Sequence, residues 1–394
     1  MTHTPADVRR IPAYLGAGLI LALLFLPLAS SAIALIAGGA GLYLVRRGDA
    51  TLKLPGLGNT LLLMVLVFVA GIAFSMDVWR SVQGVGKVLP ALFFLYVWLL
   101  AMRAGWLANG QAVRQAALVG VLVAVTLFVA SEIIHGGFIR RNGGLVSIAI
   151  RNPLAVSLLL TLAAMLACWT AGRGLHWLLL AILTLGAIFT NDARGATVAG
   201  VVILALALLL RMGLRPQPII VIGLVTAAAV GTLFQMVGVP DMLSRPGDFL
   251  SGRGVLWHAA VQIIADHPLL GIGINTWKYS AYVHALSGNF INQPSPHNLI
   301  LDLLTSIGIV GCLLLGIAVI RFYHIVAGYR LPVSAEAFWL GVFLLTAYTI
   351  NASVDFRVFS VQSFAVWGAA LVLAASKPAN LAPTHPRPPC RPPS

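Results

Sequence analysis

His297 lies where a polar segment, residues 238–296, meets an apolar run that begins at Leu299. Its imidazole can act as an interfacial or helix-capping side chain, or as a general base that removes a hydroxyl proton near neutral pH. On a helix, the eleven-residue step from His297 to Gly308 returns within about 20° of the starting direction. We therefore expect His297 to lie above Gly308 and Gly311 on a bare helix face that a neighbouring helix can approach closely.

Two arginines have side chains suited to an anionic group. Arg194 lies between two short apolar segments, where it either pairs with Asp192 or extends to the interface, or binds a phosphate through its planar guanidinium group. Arg253 belongs to the first turn of a predicted loop helix. Either water solvates it, as for most loop arginines, or it accompanies a bound anion, because a cation alone opposes the helix dipole at that end.

Other polar and aromatic residues on the same predicted side could contact a substrate. Asn298 follows the histidine directly, and Trp257 could stack on a sugar, with an aromatic belt at the membrane interface as the alternative. The remaining substrate-binding candidates are Lys87, Arg140, Arg141, Arg151, Asp355 and Arg357. The excess of bases in this set predicts a surface suited to a polyanion such as a lipid pyrophosphate or lipopolysaccharide.

Several common catalytic motifs are absent from the sequence. It contains no Asp-x-Asp pair, no His-Glu-x-x-His, no Gly-x-Ser-x-Gly and no phosphate loop of the Gly-x-x-x-x-Gly-Lys-Ser/Thr type. These are the usual ways to hold a metal–nucleotide complex, a catalytic zinc or a serine nucleophile. The cysteines, Cys168, Cys312 and Cys390, lack the Cys-x-x-Cys spacing of a metal or redox site. We therefore expect no cofactor and no metal.

The elements that position these residues are predicted to be membrane-spanning helices. Of 394 residues, 59% are hydrophobic and 9% charged, with a mean hydropathy of +0.95, which leaves too few polar side chains to cover a soluble fold. Apolar runs of about 20 residues between short polar breaks indicate helices rather than a barrel. The predicted fold is an all-α integral membrane protein with about 12 transmembrane helices.

The distribution of charge predicts the topology. The net charge of +14 comes mostly from Lys and Arg on one predicted side, as in cytoplasmic loops, and this accounts for it without a nucleic acid partner. Both termini are then cytoplasmic, and His297 faces the other side. We divide the chain into transmembrane helices 1–9 (residues 1–237), a large outer loop with short helices (238–296), helices 10–12 (297–376) and a disordered Pro-rich tail (377–394).

Two local features follow from helix signals. In the outer loop, a helix is predicted from Ser251 to about His267, lying either on the membrane surface or against the helical bundle. The sixth span is predicted to begin near Arg151, with Pro153 in its first turn. No internal repeat is visible in the sequence. A transporter built from duplicated halves would be expected to show one, so this observation weakens the transporter alternative without excluding it.

These motifs together resemble the bacterial O-antigen ligase and O-antigen polymerase superfamily of integral membrane glycosyltransferases. The ligase signature is His, then Asn, Ser or Gln, nine residues, Gly, two residues, and Gly, Thr or Tyr. His297, Asn298, Gly308 and Gly311 match it at every fixed position. The resemblance is densest over residues 150–315, and it also includes Asn152-Pro153, Arg194-Gly195, Ser251-Gly252-Arg253, Trp257 and residues 267–273.

The resemblance implies a GT-C-like enzyme of the bacterial inner membrane with a periplasmic active site. It would transfer O-antigen polysaccharide from undecaprenyl diphosphate to a sugar hydroxyl of lipid A-core, without a metal and with inversion at the anomeric carbon. His297 would be the base, while Arg194 and Arg253 would hold the diphosphate. The alternatives within the superfamily are an O-antigen polymerase and a protein O-oligosaccharyltransferase. Outside it, the alternative is a polyisoprenoid or lipid transporter, which would bind membrane lipids without chemistry.

Overall fold

The computed structural model describes residues 5–25, 39–41, 43, 56–134, 145–190, 193–213, 253–286, 293–355, 360–376 and 378. Helices account for the regular secondary structure of these residues, beside one isolated bridge between Val333 and Pro378. The all-α prediction is confirmed for them. The α-helices are α1 (Pro5–Leu24), α2 (Leu57–Ala73), α3 (Val78–Gly86), α4 (Leu89–Arg103), α5 (Gln111–Ile134), α6 (Leu145–Thr170), α7 (His176–Thr190), α8 (Arg194–Arg211), α9 (Arg253–Asp266), α10 (Ala281–His284), α11 (Leu299–Gly328), α12 (Ala335–Asp355) and α13 (Val361–Ala375).

Several segments of these residues could cross a membrane. Four are long and apolar enough by length and composition, namely Val78–Arg103, Pro153–Thr170, Leu299–Gly328 and Ala335–Ser353. Six shorter apolar helical segments accompany them: Pro12–Leu24, Leu62–Ala73, Gln111–Leu127, His176–Phe189, Gly195–Arg211 and Gln362–Ala375. The total of twelve spans and the division into domains stay predictions, because the predicted ninth span, most of the predicted second span, and residues 238–252 and 287–292 of the outer loop fall outside the described residues.

Helix α6 lies at the centre of the bundle. It packs against α5, α7, α8 and α12, and its side chains from Leu158 to Cys168 are buried on every face. A helix that is apolar all round is stable only where other helices or lipid surround it, and its composition meets that condition. Other helices pack on these: α1 lies against α5, α13 against both α4 and α12, and α2 against α11.

A buried carboxylate joins three helices at one end of the bundle. Glu336, at the start of α12, is 2% exposed, and its Oε1 lies 2.7 Å from Arg173 Nε and 3.3 Å from Arg114 Nη1. Arg173 follows α6 and Arg114 belongs to the first turn of α5. The same end holds Arg211, whose guanidinium lies 5.9 Å from the Trp169 ring centroid. Glu336, Arg173 and Arg114 thus form one ion-paired group that links α12 to α5 and to the end of α6.

Two boundaries differ from the prediction. Helix α6 begins at Leu145, so Pro153 is inside the helix rather than in its first turn. Residues 145–150 are uncharged and mostly apolar, and a proline inside a helix removes one backbone hydrogen bond without stopping a run that continues on both sides. Residues 75–80, which the sequence predicts as the outer connection between the third and fourth spans, are also partly helical, because Asp77 Oδ1 accepts a hydrogen bond from Arg80 N at 3.0 Å and caps α3.

Candidate functional site

Helix α11, which follows His297, is interrupted at Gly308. This residue has φ 64° and ψ −174°, a conformation outside the helical region, while the helix resumes after it. A helix would bond the Ile309 and Val310 amides to the carbonyls of Thr305 and Ser306, four residues earlier. The interruption leaves these four backbone groups in need of other partners, and buried groups without partners are costly.

The segment 268–273 supplies those partners. Ile309 N and Val310 N donate to the carbonyls of Pro268 and Leu269 at 2.9 and 3.1 Å. The carbonyls of the residues before the break, Thr305 and Ser306, accept hydrogen bonds from the amides of Ile272 and Gly273 at 2.8 and 3.0 Å. The loop therefore replaces two intrahelical hydrogen bonds with four of its own, which satisfies the backbone at the break.

Glycine is required on both sides of this contact. A Cβ atom on Gly308 would overlap the backbone of Leu269 and Leu270, and one on Gly271, which has φ 68°, would lie 2.6 Å from the Thr305 carbonyl oxygen. Backbone atoms cannot turn aside as a flexible side chain can. The family signature glycine at 308 and the glycine at 271 are thus two halves of one contact between main chains.

The expected shared face of His297 and Gly308 is wrong. His297 precedes the helix, with φ 54°, and Asn298 is the N-cap residue. The break at Gly308 further invalidates any rotation counted at about 100° per residue. Gly308 meets the loop rather than a neighbouring helix, and a Cβ on Gly311 would meet the side chain of Ile307 on its own helix.

His297 is held by polar neighbours from its own segment. Its Nε2 atom lies 2.9 Å from Gln293 Oε1, and its backbone N–H donates to Ser295 Oγ at 3.3 Å. Trp257, on α9, donates from Nε1 to the Pro296 carbonyl at 3.1 Å. A non-glycine residue at positive φ is uncommon and persists where its surroundings hold it. The structure therefore brings Trp257 and His297 together and fixes the backbone from which the imidazole projects.

The side chain of Asn298 stabilises the start of α11. Its Oδ1 accepts hydrogen bonds from Ile300 N and Leu301 N at 3.0 and 3.1 Å, and its Nδ2 donates to the Ser353 carbonyl at 3.0 Å. The side chain thus caps α11 and links it to the end of α12. Asn298 was predicted to bind substrate, but its oxygen and one of its amide hydrogens are engaged by the protein itself.

Helix α9 matches the loop helix predicted from Ser251 to His267, and the open question of its location is answered. Leu256, Ala260 and Ile263 are buried with Trp277 in a small core that also contacts Leu301 of α11. The helix therefore packs on protein at the beginning of α11. Its polar stripe stays outside: His258 bonds Gln262 at 3.1 Å, and Asp266 accepts a short hydrogen bond from Tyr282 that raises the pKa of the Tyr282 hydroxyl.

The other predicted site residues are located as far as their backbones. Arg194 and Arg253 are the first residues of α8 and α9, Arg151 lies inside α6, and Asp355 ends α12. Lys87 follows α3 and is exposed. Arg140, Arg141 and Arg357 lie outside the described residues. Among the parts of the chain that the structure does describe, no three His, Cys, Asp or Glu side chains are grouped as metal ligands would be.

Sequence reasoning missed the partners of the site. Gln293 was not singled out, although it lies four residues before His297 in a polar stretch. Thr305 and Ser306 are two adjacent hydroxyl residues within an apolar run, directly ahead of Gly308, and that combination is a usable signal for a helix break. The pairing of the break with residues 268–273 has no local signal, because it joins segments about 35 residues apart in the chain.

The fold and the site together indicate the class of protein. The described residues form a helical bundle with several candidate membrane spans, and the polar segment around His297 lies at one end of this bundle. Residues 179–316 match the family model described as O-antigen ligase. The match includes Arg194, Arg253, Trp257, His297 and Asn298, so this region is similar to the O-antigen ligase superfamily, and the apolar helices indicate a multi-pass membrane protein. None of the curated proteins compared matches it. The family consists of glycosyltransferase-like membrane enzymes and implies polysaccharide and lipid-linked substrates in general.

Proposed function

We propose that the protein is an O-antigen ligase that transfers O-antigen polysaccharide from undecaprenyl diphosphate to a sugar hydroxyl of lipid A-core. The observation that carries the proposal is the setting of His297. The backbone of His297 has a positive φ, and the residue directly precedes α11, a helix that is capped by Asn298 and interrupted at Gly308. His297 also lies within the region that matches the family model. A general base needs such a fixed position, since proton removal depends on its distance from the hydroxyl group.

In the proposed reaction, His297 takes the proton of the acceptor hydroxyl as the oxygen attacks the anomeric carbon of the donor. A new glycosidic bond forms, and the bond from that carbon to the diphosphate oxygen breaks with its electron pair. Undecaprenyl diphosphate leaves, and the anomeric configuration inverts. Because the diphosphate is a stable anion, guanidinium groups can neutralise its developing charge without a metal ion.

Arg194 and Arg253 are the proposed diphosphate ligands. Both begin helices, where the unpaired N–H groups and the helix dipole attract negative charge. Ala193, which precedes α8, makes no side-chain hydrogen bond that would cap this end. The sequence thus has a cationic residue at a helix N-terminus without a side-chain cap, and this supports the assignment for Arg194 most directly.

The remaining candidates have supporting roles in this proposal. Trp257 supports the segment that carries His297 through its bond to Pro296, and its ring can contact sugar. Lys87, Arg140, Arg141, Arg151, Asp355 and Arg357 would contact the anionic donor or acceptor at the periphery. We further propose that the site faces the periplasm from the bacterial inner membrane, with both termini in the cytoplasm.

The test is a reconstituted transfer reaction. Purified protein is incubated with lipid-linked O-antigen and lipid A-core, with a chelator and without nucleotide, and attachment is followed by gel mobility. We expect His297→Ala to lower attachment at least about 100-fold, the usual contribution of a general base. His258→Ala is the matched control, because this exposed histidine bonds only Gln262 among the described contacts. Attachment at the wild-type rate by His297→Ala would refute the base assignment.

The same reaction separates the ligase from its relatives. A polymerase would lengthen the lipid-linked donor and leave lipid A-core unmodified, while a protein O-oligosaccharyltransferase would need a protein acceptor. A transporter would produce no new glycosidic bond with any acceptor. Attachment to lipid A-core that stops when the chelator is added would contradict the metal-independent mechanism but leave the ligase assignment intact.

A further inference from the structure

The nine-residue helix α3 has an apolar face that no part of the described protein covers. Trp79 is 67% exposed, and Val78 and Val82 on the same helix are also exposed. Phe74 and Met76, just before α3, extend this exposed apolar surface. The helix is too short to cross a bilayer, and exposed tryptophan is typical of the boundary between lipid and water. These features indicate a helix that lies along the membrane interface.

The opposite face of α3 is anchored firmly. Ser81 is fully buried and donates to the Ile274 carbonyl at 3.0 Å and to Ser75 Oγ at 2.7 Å. A Cβ atom on Gly84 would lie 2.8 Å from the side chains of Ile274 and Asn275. Because α3 is fixed to the loop that continues from residues 268–273, its exposed face has a defined orientation.

Two cations lie beside this surface around one tyrosine ring. The guanidinium carbon of Arg80 lies 5.0 Å from the Tyr279 ring centroid, and the ammonium group of Lys278 lies 5.2 Å from the same centroid. Within the described ranges, ion pairs are formed at Glu336, and neither Arg80 nor Lys278 has an acidic partner. The nearby Asp77 carboxylate is engaged in capping α3 through the Arg80 backbone N–H. Because both cations lie within 5.2 Å of one ring centroid, an anion at the edge of this ring would interact favourably with both.

We propose that Arg80, Lys278 and Tyr279 bind the phosphate headgroup of an anionic membrane lipid whose acyl chains lie on the apolar face of α3. The charge of the cluster complements a phosphate, and the adjoining apolar surface complements hydrocarbon. A soluble anion would use the first feature and gain nothing from the second. None of these three residues belongs to the set proposed for the transfer reaction.

The proposal is tested by native mass spectrometry of the full-length protein released from detergent with equal amounts of phosphatidylglycerol and phosphatidylcholine. We expect preferential retention of phosphatidylglycerol. Arg80→Gln and Lys278→Gln should each weaken retention about fivefold, and the double variant about 25-fold, because a basic residue near an anionic surface contributes about 1 kcal/mol. Tyr279→Leu should also weaken it, since the ring holds both cations in place.

Arg321→Gln is the matched control, because this exposed arginine lies on α11 beyond the break and far along the chain from the cluster. Gel filtration and thermal unfolding establish that each variant is folded. Equal retention of the two lipids by wild type, or equal losses in Arg321→Gln and Arg80→Gln, would overturn the proposal. Displacement of the lipid by millimolar glycerophosphate would also overturn it, because the acyl chains would then contribute nothing.

Discussion

Replacing Gly308 by alanine tests the contact between the interrupted helix and residues 268–273. The new methyl group would overlap the backbone of Leu269 and Leu270, and alanine would have to adopt φ 64° and ψ −174°, a region that is essentially restricted to glycine. Either the loop moves away or the helix closes its break. Both outcomes remove hydrogen bonds on which the break depends.

The cost can be worked out from the geometry. Backbone strain contributes about 1–3 kcal/mol. Displacing the loop removes the partners of Ile309 N and Val310 N, and each unpaired buried donor costs about 1–3 kcal/mol. The sum, about 3–9 kcal/mol, is comparable with the whole folding stability of an average domain, about 5–15 kcal/mol. We therefore expect Gly308→Ala to unfold at much lower temperature or to fail to accumulate.

Two other glycines of α11 provide a graded control. Gly316 has open space around its Cβ position, so Gly316→Ala should be neutral or stabilise by up to about 1 kcal/mol. A Cβ on Gly311 would lie 2.6 Å from Ile307 Cβ, which is fixed to the backbone, so Gly311→Ala should destabilise; the cost should be below that of Gly308→Ala, because Gly311 does not have a positive φ. Unfolding is followed in detergent by tryptophan fluorescence against temperature. Equal stability of Gly308→Ala and Gly316→Ala would refute the account of the break.

Four further substitutions test other contacts. Arg194→Lys and Arg253→Lys should each lower transfer at least about tenfold with unchanged folding, because a point charge cannot reproduce the guanidinium fork; near-normal turnover in reconstituted assays would leave that arginine a structural role. Asn298→Ala should lower stability by about 1–2 kcal/mol, measured by thermal unfolding, because it removes the N-cap of α11 and its link to α12; an unchanged midpoint would contradict this. Glu336→Gln should lower the free energy of unfolding by about 1–3 kcal/mol, less than the loss of a fully buried ion pair, because both arginine partners are partly exposed. A melting curve that is unaltered and insensitive to salt would contradict this.

The helices were predictable because membrane helices have a strong one-dimensional signal. The apolar runs at residues 57–75, 175–190 and 196–211 predict spans that agree with α2, α7 and α8 to within about two residues, since a membrane helix satisfies its own backbone and needs no distant partner to begin or end. The pairing of Glu336 with arginines at one end of the bundle also agrees with the predicted topology, because the positions of charged residues follow the membrane.

The interior of the site was less predictable. An apolar run that contains Gly308 and Gly311 indicates an unbroken helix with a small-residue face, and the calculation for His297 rested on that continuity. The break exists because residues 268–273 occupy it, and a pattern within one segment carries no information about a second segment that supplies its hydrogen bonds. Gly308 belongs to the family signature, and the structure shows that this glycine accommodates the backbone of a loop.

The break at Gly308 also divides α11 by length. A straight helix of 30 residues would extend about 45 Å, well beyond the hydrocarbon core of about 30 Å. The residues after the break, 309–328, would alone extend about 30 Å and suffice for the crossing. The residues before the break are then not needed to cross the membrane, and this part of the helix can have a different axis direction. One hydrophobic segment thus provides both a membrane anchor and, before the break, a support for His297 with its own orientation. During synthesis residues 268–273 precede α11, so they are already present when the residues of the break are added.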